Sequence, residues 1–148
     1  MNSKSIKFAF AVNKSNAFEP KHFGDADKYL IYEWINNDFI FLQEEANRIK
    51  NFDEEQTHGS QKKGGAIIDF LRGFNIDVLV SRQFGKNIQL VNQYFIPVIV
   101  SEDIPGKTLL ILSKHIKWIE DELNNKPDEF KLFTLKKGIL KTAIKKEE

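Results

Sequence analysis

Ile6, Phe8, Phe10 and Val12 alternate with Lys7, Ala9, Ala11 and Asn13 near the start of the chain. A period of two marks a strand. One face carries large apolar residues, and the other carries two alanines at its centre. This is the pattern of a central strand whose far side is crowded.

The segments after it set the fold class. Lys14 to Gly24 has no periodicity and reads as a loop. Tyr29 to Ile35 is a strand with Leu30, Tyr32 and Trp34 on one face. Asn36-Asn37-Asp38 suits a tight turn, because Asn and Asp tolerate positive φ. Phe39 to about Glu45 returns as a third strand, and Asn47 to Lys63 reads as a long polar loop. Gly64 and Gly65 open a helix in which Ile67, Ile68, Leu71 and Phe74 recur at helical spacing. Asp77 to Ser81 is a buried parallel strand. Gly85 to Phe95 is a helix with Ile88, Val91 and Tyr94 or Phe95 inward, and Pro97 to Val100 is the last core strand. Pro105-Gly106 turns the chain. Leu112, Ile116, Ile119 and Leu123 then share one helix face, and Asn124 to Pro127 stops that helix. In the tail from Phe130 to Glu148, Lys131 to Leu135 and Ile139 to Ala143 suggest a small hairpin, and an amphipathic helix after Gly138 is the rival reading.

The expected organisation is a domain over 1–127 with a C-terminal extension over 128–148. The element order β-β-β-α-β-α-β-α predicts an α/β fold with a mixed sheet, an antiparallel meander followed by parallel crossover strands. Right-handed crossovers make strands four and five parallel to strand one. The loops leaving strands one, three and four then share one edge. They carry His22-Phe23-Gly24, His58-Gly59 and Phe84-Gly85-Lys86-Asn87. Open α/β sheets place ligand crevices where strand order reverses. Helix starts at Gly64-Gly65 and Gly85-Lys86 would offer free N–H groups there, with Lys62, Lys63 and Lys86 beside them, favouring an anionic ligand.

Composition narrows the function. The 148 residues suit one domain, and the net charge of +1 gives no support for nucleic-acid or membrane binding. The chain has no Cys, which excludes disulfides and thiolate metal sites. Met-Asn-Ser-Lys-Ser does not open a signal-peptide core, and no apolar run approaches ~20 residues, so a cytoplasmic protein is expected. No Gly-x-Gly-x-x-Gly, P-loop or Ser–His–Asp order occurs. His115 falls beside a core helix position and reads as a packing residue.

Several of these segments together resemble a known family. Ile6 to Val12, His22-Phe23-Gly24-Asp25-Ala26 and Tyr29 to Tyr32 form the first set. Gly65 through Leu71, Asn75 to Val80, Phe84-Gly85-Lys86-Asn87 and Tyr94 to Val98 form the second. Their order over roughly residues 5–124 resembles the dinitrogenase iron–molybdenum cofactor biosynthesis family, which includes NifX-type carriers and the C-terminal part of NifB-type proteins. The sequence departs from the family pattern at Ser81-Arg82-Gln83, where a small residue and Gly are common. It also has a poorer glycine run between His58 and Gly65.

The resemblance implies a ribonuclease-H-like fold and a non-catalytic protein that binds or carries an iron–sulfur or iron–molybdenum cluster. His22 would be the metal contact. Phe23, Gly24, Gly64, Gly65, Gly85 and Lys86 would complete the cofactor-binding set. The implied partners are cofactor-biosynthesis proteins, and a second copy through the C-terminal extension is another candidate. Nuclease chemistry on such a fold needs a first-strand acid, and Ile6 to Val12 contains none. A structural or protein-interaction module without a cluster is the alternative, and a small-anion or nucleotide sensor at the same edge is a third reading.

Overall fold

The computed structural model describes residues 5–49, 59–85, 88–101, 104–125, 127–136, 139–142 and 144, with side chains of 59–64 and 140 excepted. A mixed sheet of seven strands runs through it in the order β3-β2-β1-β4-β5-β6-β7. The strands are β1 (Ile6–Val12), β2 (Lys28–Ile35), β3 (Asp38–Ala46), β4 (Val78–Ser81), β5 (Ile96–Val100), β6 (Leu132–Leu135) and β7 (Ile139–Thr142). β1, β2 and β3 form the expected antiparallel meander. Asn36 and Asn37 take φ values of 55° and 62° at its turn, the left-handed pair that matches strand twist in a two-residue hairpin. β4 runs parallel to β1, and β5 parallel to β4.

Helices cover both faces. Phe8, Phe10, Leu30, Trp34, Val80 and Val98 form one core with Leu112 and Ile119. The opposite core joins Ala9, Ala11, Tyr29, Ile31 and Leu79 to Ile67, Ile68 and Leu71 of α1 (Gly59–Arg72). The two alanines of β1 thus share this core with α1 and with the Phe23 and Tyr29 rings. Burial of such apolar area stabilises by roughly 25 cal/mol per Å².

Several boundaries differ from the sequence expectation. α1 begins at Gly59, so Gly64 and Gly65 lie past its first turn and do not open it. The helix expected over 85–95 is only α2 (Ile88–Val91), and turns occupy Asn92 to Tyr94. There Phe95 is buried, whereas Tyr94 is 43% exposed. Pro105 is the first residue of α3 (Pro105–Lys114), where its fixed φ and missing N–H are tolerated. The long helix through Leu112 and Leu123 is broken in two at His115 (φ −120°, ψ 22°), and α4 (Ile116–Asn125) follows. His115 donates its backbone N–H to Ile111 and Leu112 and so closes α3.

β5 is not the last core strand. β6 pairs with it in parallel, and β7 returns antiparallel to β6. Phe133 and Leu135 are fully buried. Glu122 of α4, itself buried, accepts the Lys131 backbone N–H at 2.9 Å and lies 3.6 Å from the Lys141 ammonium. Among the described residues no helix is long and apolar enough to cross a membrane.

Candidate functional site

The chain leaving β1 is stitched across to the chain leaving β4. Asn13 starts the connection with an Asx turn, its Oδ1 accepting the Ser15 and Ala17 N–H groups. A parallel bridge then joins His22 to Gln83, and the Phe23 N–H donates to the Gln83 carbonyl at 2.9 Å. The Gln83 side-chain amide donates to the Pro20 carbonyl at 3.3 Å. Buried Ser81 ties the same crossing: its hydroxyl accepts the Gln83 N–H and lies 2.9 Å from the Gln83 carbonyl.

Aromatic rings fix the turn from within. Phe23 opens a 3-10 turn (Phe23–Asp25) and is buried. Its ring stacks on Tyr29 at 4.8 Å and on Phe84 at 5.7 Å, the latter almost parallel at 9°. The Tyr29 hydroxyl donates to the Phe23 carbonyl at 2.9 Å. Burial, with a smaller contribution from the Asp25 charge, pushes the Tyr29 phenol far above its ordinary range, so it stays a neutral donor. The third loop joins through Asn47, whose side-chain amide donates to the Gly24 and Ala26 carbonyls at 2.9 and 2.8 Å.

His22 stands on this platform. Its neighbour Phe23 points inward, while the His22 side chain is exposed. The imidazole lies against Gly85, where an added Cβ would meet Nδ1 at 2.7 Å, Cε1 at 3.1 Å and Cγ at 3.3 Å. Nε2 is further from that glycine than these three atoms. Lys21 beside it is ion-paired with Glu19 at 3.1 Å. Glu19 is held below the usual carboxylate range by hydrogen bonds from the Asn13 and Lys21 side chains. Part of the positive charge next to His22 is therefore already balanced.

The two expected pieces His22-Phe23-Gly24 and Phe84-Gly85 are thus brought together. His58, Lys86 and Asn87 lie outside the described residues. Gly64 and Gly65 do not serve as free N–H donors, because amides past a helix's first turn bond to its own carbonyls. α2 is only four residues long and offers no substantial dipole. The expected pair of helix N-termini at this edge is therefore replaced by a strand-to-strand loop crossing. Ser81, Gln83, Tyr29 and Asn47 hold that crossing; sequence reasoning marked Ser81 and Gln83 only as part of a departure from the family pattern at the crevice, and gave Tyr29 and Asn47 no role in the site. A serine ending an otherwise apolar strand was the available signal.

Among the described residues no three of His, Asp and Glu come together as a metal-ligand set. A family model for the dinitrogenase iron-molybdenum cofactor matches residues 4–106. The chain belongs to this family. The match runs from β1 into the start of α3 and contains His22, Gly85 and the residues that hold them, while α4, β6 and β7 lie beyond it. No curated protein matched the chain.

Proposed function

We propose that this protein binds and carries an iron–molybdenum or iron–sulfur cluster as cargo, without performing chemistry on it. Family membership supports the cargo, and one observation carries the site: an exposed imidazole seated on a glycine at the point where the β1 and β4 loops cross. Neutral imidazole is a good iron ligand. A site with fewer than three clustered His, Asp or Glu among the described residues fits a cluster that must be received and released, with its remaining positions filled by small thiols or by a donor or acceptor protein. Phe23 and Gly24 set the loop's position, and Lys86 follows Gly85 in sequence. The strand order β3-β2-β1-β4-β5 with β2 antiparallel supports a ribonuclease-H-like topology, and the family unit would span 1–127 with 128–148 as an extension. The first-strand acid that such nucleases need is missing, which favours a non-catalytic role.

Anaerobic mixing of the full chain with isolated iron–molybdenum cofactor, followed by desalting and electron paramagnetic resonance, tests this. Wild type is expected to retain the cluster, and His22→Ala to retain at least tenfold less. Equal retention removes His22 from the site. Failure of wild type to retain any cluster favours the interaction-module reading, which one observation supports: Ile40, Phe41 and Leu42 are 47%, 52% and 39% exposed on edge strand β3.

A further inference from the structure

A second cleft lies at the other end of the parallel strands, away from His22. Residues of three connections line it, among them Arg72 and Asp77 before β4, Tyr94 before β5, and Pro127 and Phe130 before β6. Its volume is about 520 Å³. Small-molecule sites span roughly 300–1,000 Å³.

The lining divides by chemistry. Tyr94 presents a half-exposed ring, and the Arg72 guanidinium sits 5.2 Å from that ring's centroid. Among the described residues Arg72 has no carboxylate partner. A cation–π contact at this distance does not use up the guanidinium's N–H donors, which match a carboxylate or phosphate. Pro127 and Phe130 add apolar surface. Asp77 also lines the cleft, but its Oδ2 already accepts the Lys7 N–H at 3.0 Å. Burial raises its pKa against the Lys7 hydrogen bond and charge. As the last residue of α1, Arg72 also complements the helix C-terminus, and that role alone would account for its charge. It does not account for a guanidinium laid over an exposed tyrosine beside an apolar wall.

We propose that this cleft binds a small organic anion, with its carboxylate or phosphate on Arg72 and its flat ring against Tyr94 and Phe130. The site is separate from the cluster site and stands whether or not that reading holds.

Isothermal titration of the full chain with AMP and with benzoate tests it, with adenosine and benzamide as their respective uncharged controls. Saturable binding is expected for at least one of the two ring-bearing anions, at least tenfold tighter than for its matching control. Arg72→Gln and Tyr94→Ala should each weaken that binding at least tenfold while keeping the wild-type circular dichroism. Lys117→Gln, which removes an exposed lysine elsewhere, should change it less than twofold. Two results would overturn the proposal: no saturable binding of either anion at millimolar concentration, or binding that persists in folded Arg72→Gln. If Arg72→Gln fails to fold, Tyr94→Ala and wild-type chemical-shift changes centred on the cleft residues Arg72, Asp77, Gln93, Tyr94 and Phe130 decide in its place; shifts confined to residues outside the cleft overturn it.

Discussion

A methyl group on Gly85 would lie 2.7 Å from His22 Nδ1, closer than side-chain carbons approach one another in proteins. The His22 side chain is exposed and can swing away, so Gly85→Ala should cost less than about 1 kcal/mol of stability, as surface changes do. It should nevertheless displace the imidazole. Gly85→Ala is therefore expected to lose cluster retention as His22→Ala does, and the double variant to lose little more. A retention assay on all three variants checks this, and full retention by Gly85→Ala would show that the seat does not position the ring. Asp77 makes a different residue-level prediction. Its folded-state pKa is raised, mainly by burial and against the Lys7 hydrogen bond and charge. The folded protein then binds this proton more firmly than the unfolded chain does. Asp77's contribution is most favourable below its unfolded pKa and is lost as pH rises through the raised folded value. Asp77→Asn keeps an acceptor for the Lys7 N–H and removes the charge. It should melt higher than wild type at pH 7 and lose that advantage near pH 3, so a pH-independent difference between the melting curves would contradict the assignment.

At the scale of elements, the C-terminal hairpin carries core residues. Phe133 and Leu135 of β6 are buried beside Val98, Leu112 and Ile119, and Glu122 holds the approach to β6 by its backbone. Phe133→Ala should destabilise by about 3–5 kcal/mol, the range for emptying a buried aromatic site. Urea denaturation measures it, and a loss below about 1 kcal/mol would place Phe133 outside the shared core. The strands β1, β2 and β4 were legible because their periodicity is strict and their ends carry turn residues. The helix boundaries were less so. Gly64-Gly65 invites a helix start, because glycine is a poor helix former, yet α1 runs straight through the pair. Leu112, Ile116, Ile119 and Leu123 keep helical spacing across His115 even though the helix breaks there, because one residue of irregular backbone barely changes which side chains face the sheet. The segment after Gly138 left a hairpin strand and a helix open. Pairing with β5, a contact far away in sequence, decides for the hairpin.

Across the whole molecule, a meander and two crossovers place the loops after β1, β3 and β4 at one edge. The right-handed crossover rule fixes that much from element order alone. Sequence by itself determined the element types as far as β5, the parallel placement of β4 and β5, the family resemblance and the proposal of His22. Each of these depends on local periodicity or on short motifs in order. Tertiary structure alone decided three things: that Gly85 is the seat of the His22 ring, that Ser81, Gln83, Tyr29 and Asn47 lock the loops together, and that the hairpin completes the sheet. Each is a contact between residues distant in the chain, where hydrogen-bond geometry and close packing select the partner. Hydrophobic periodicity cannot encode that choice, because it records which face a residue buries and not what it meets there.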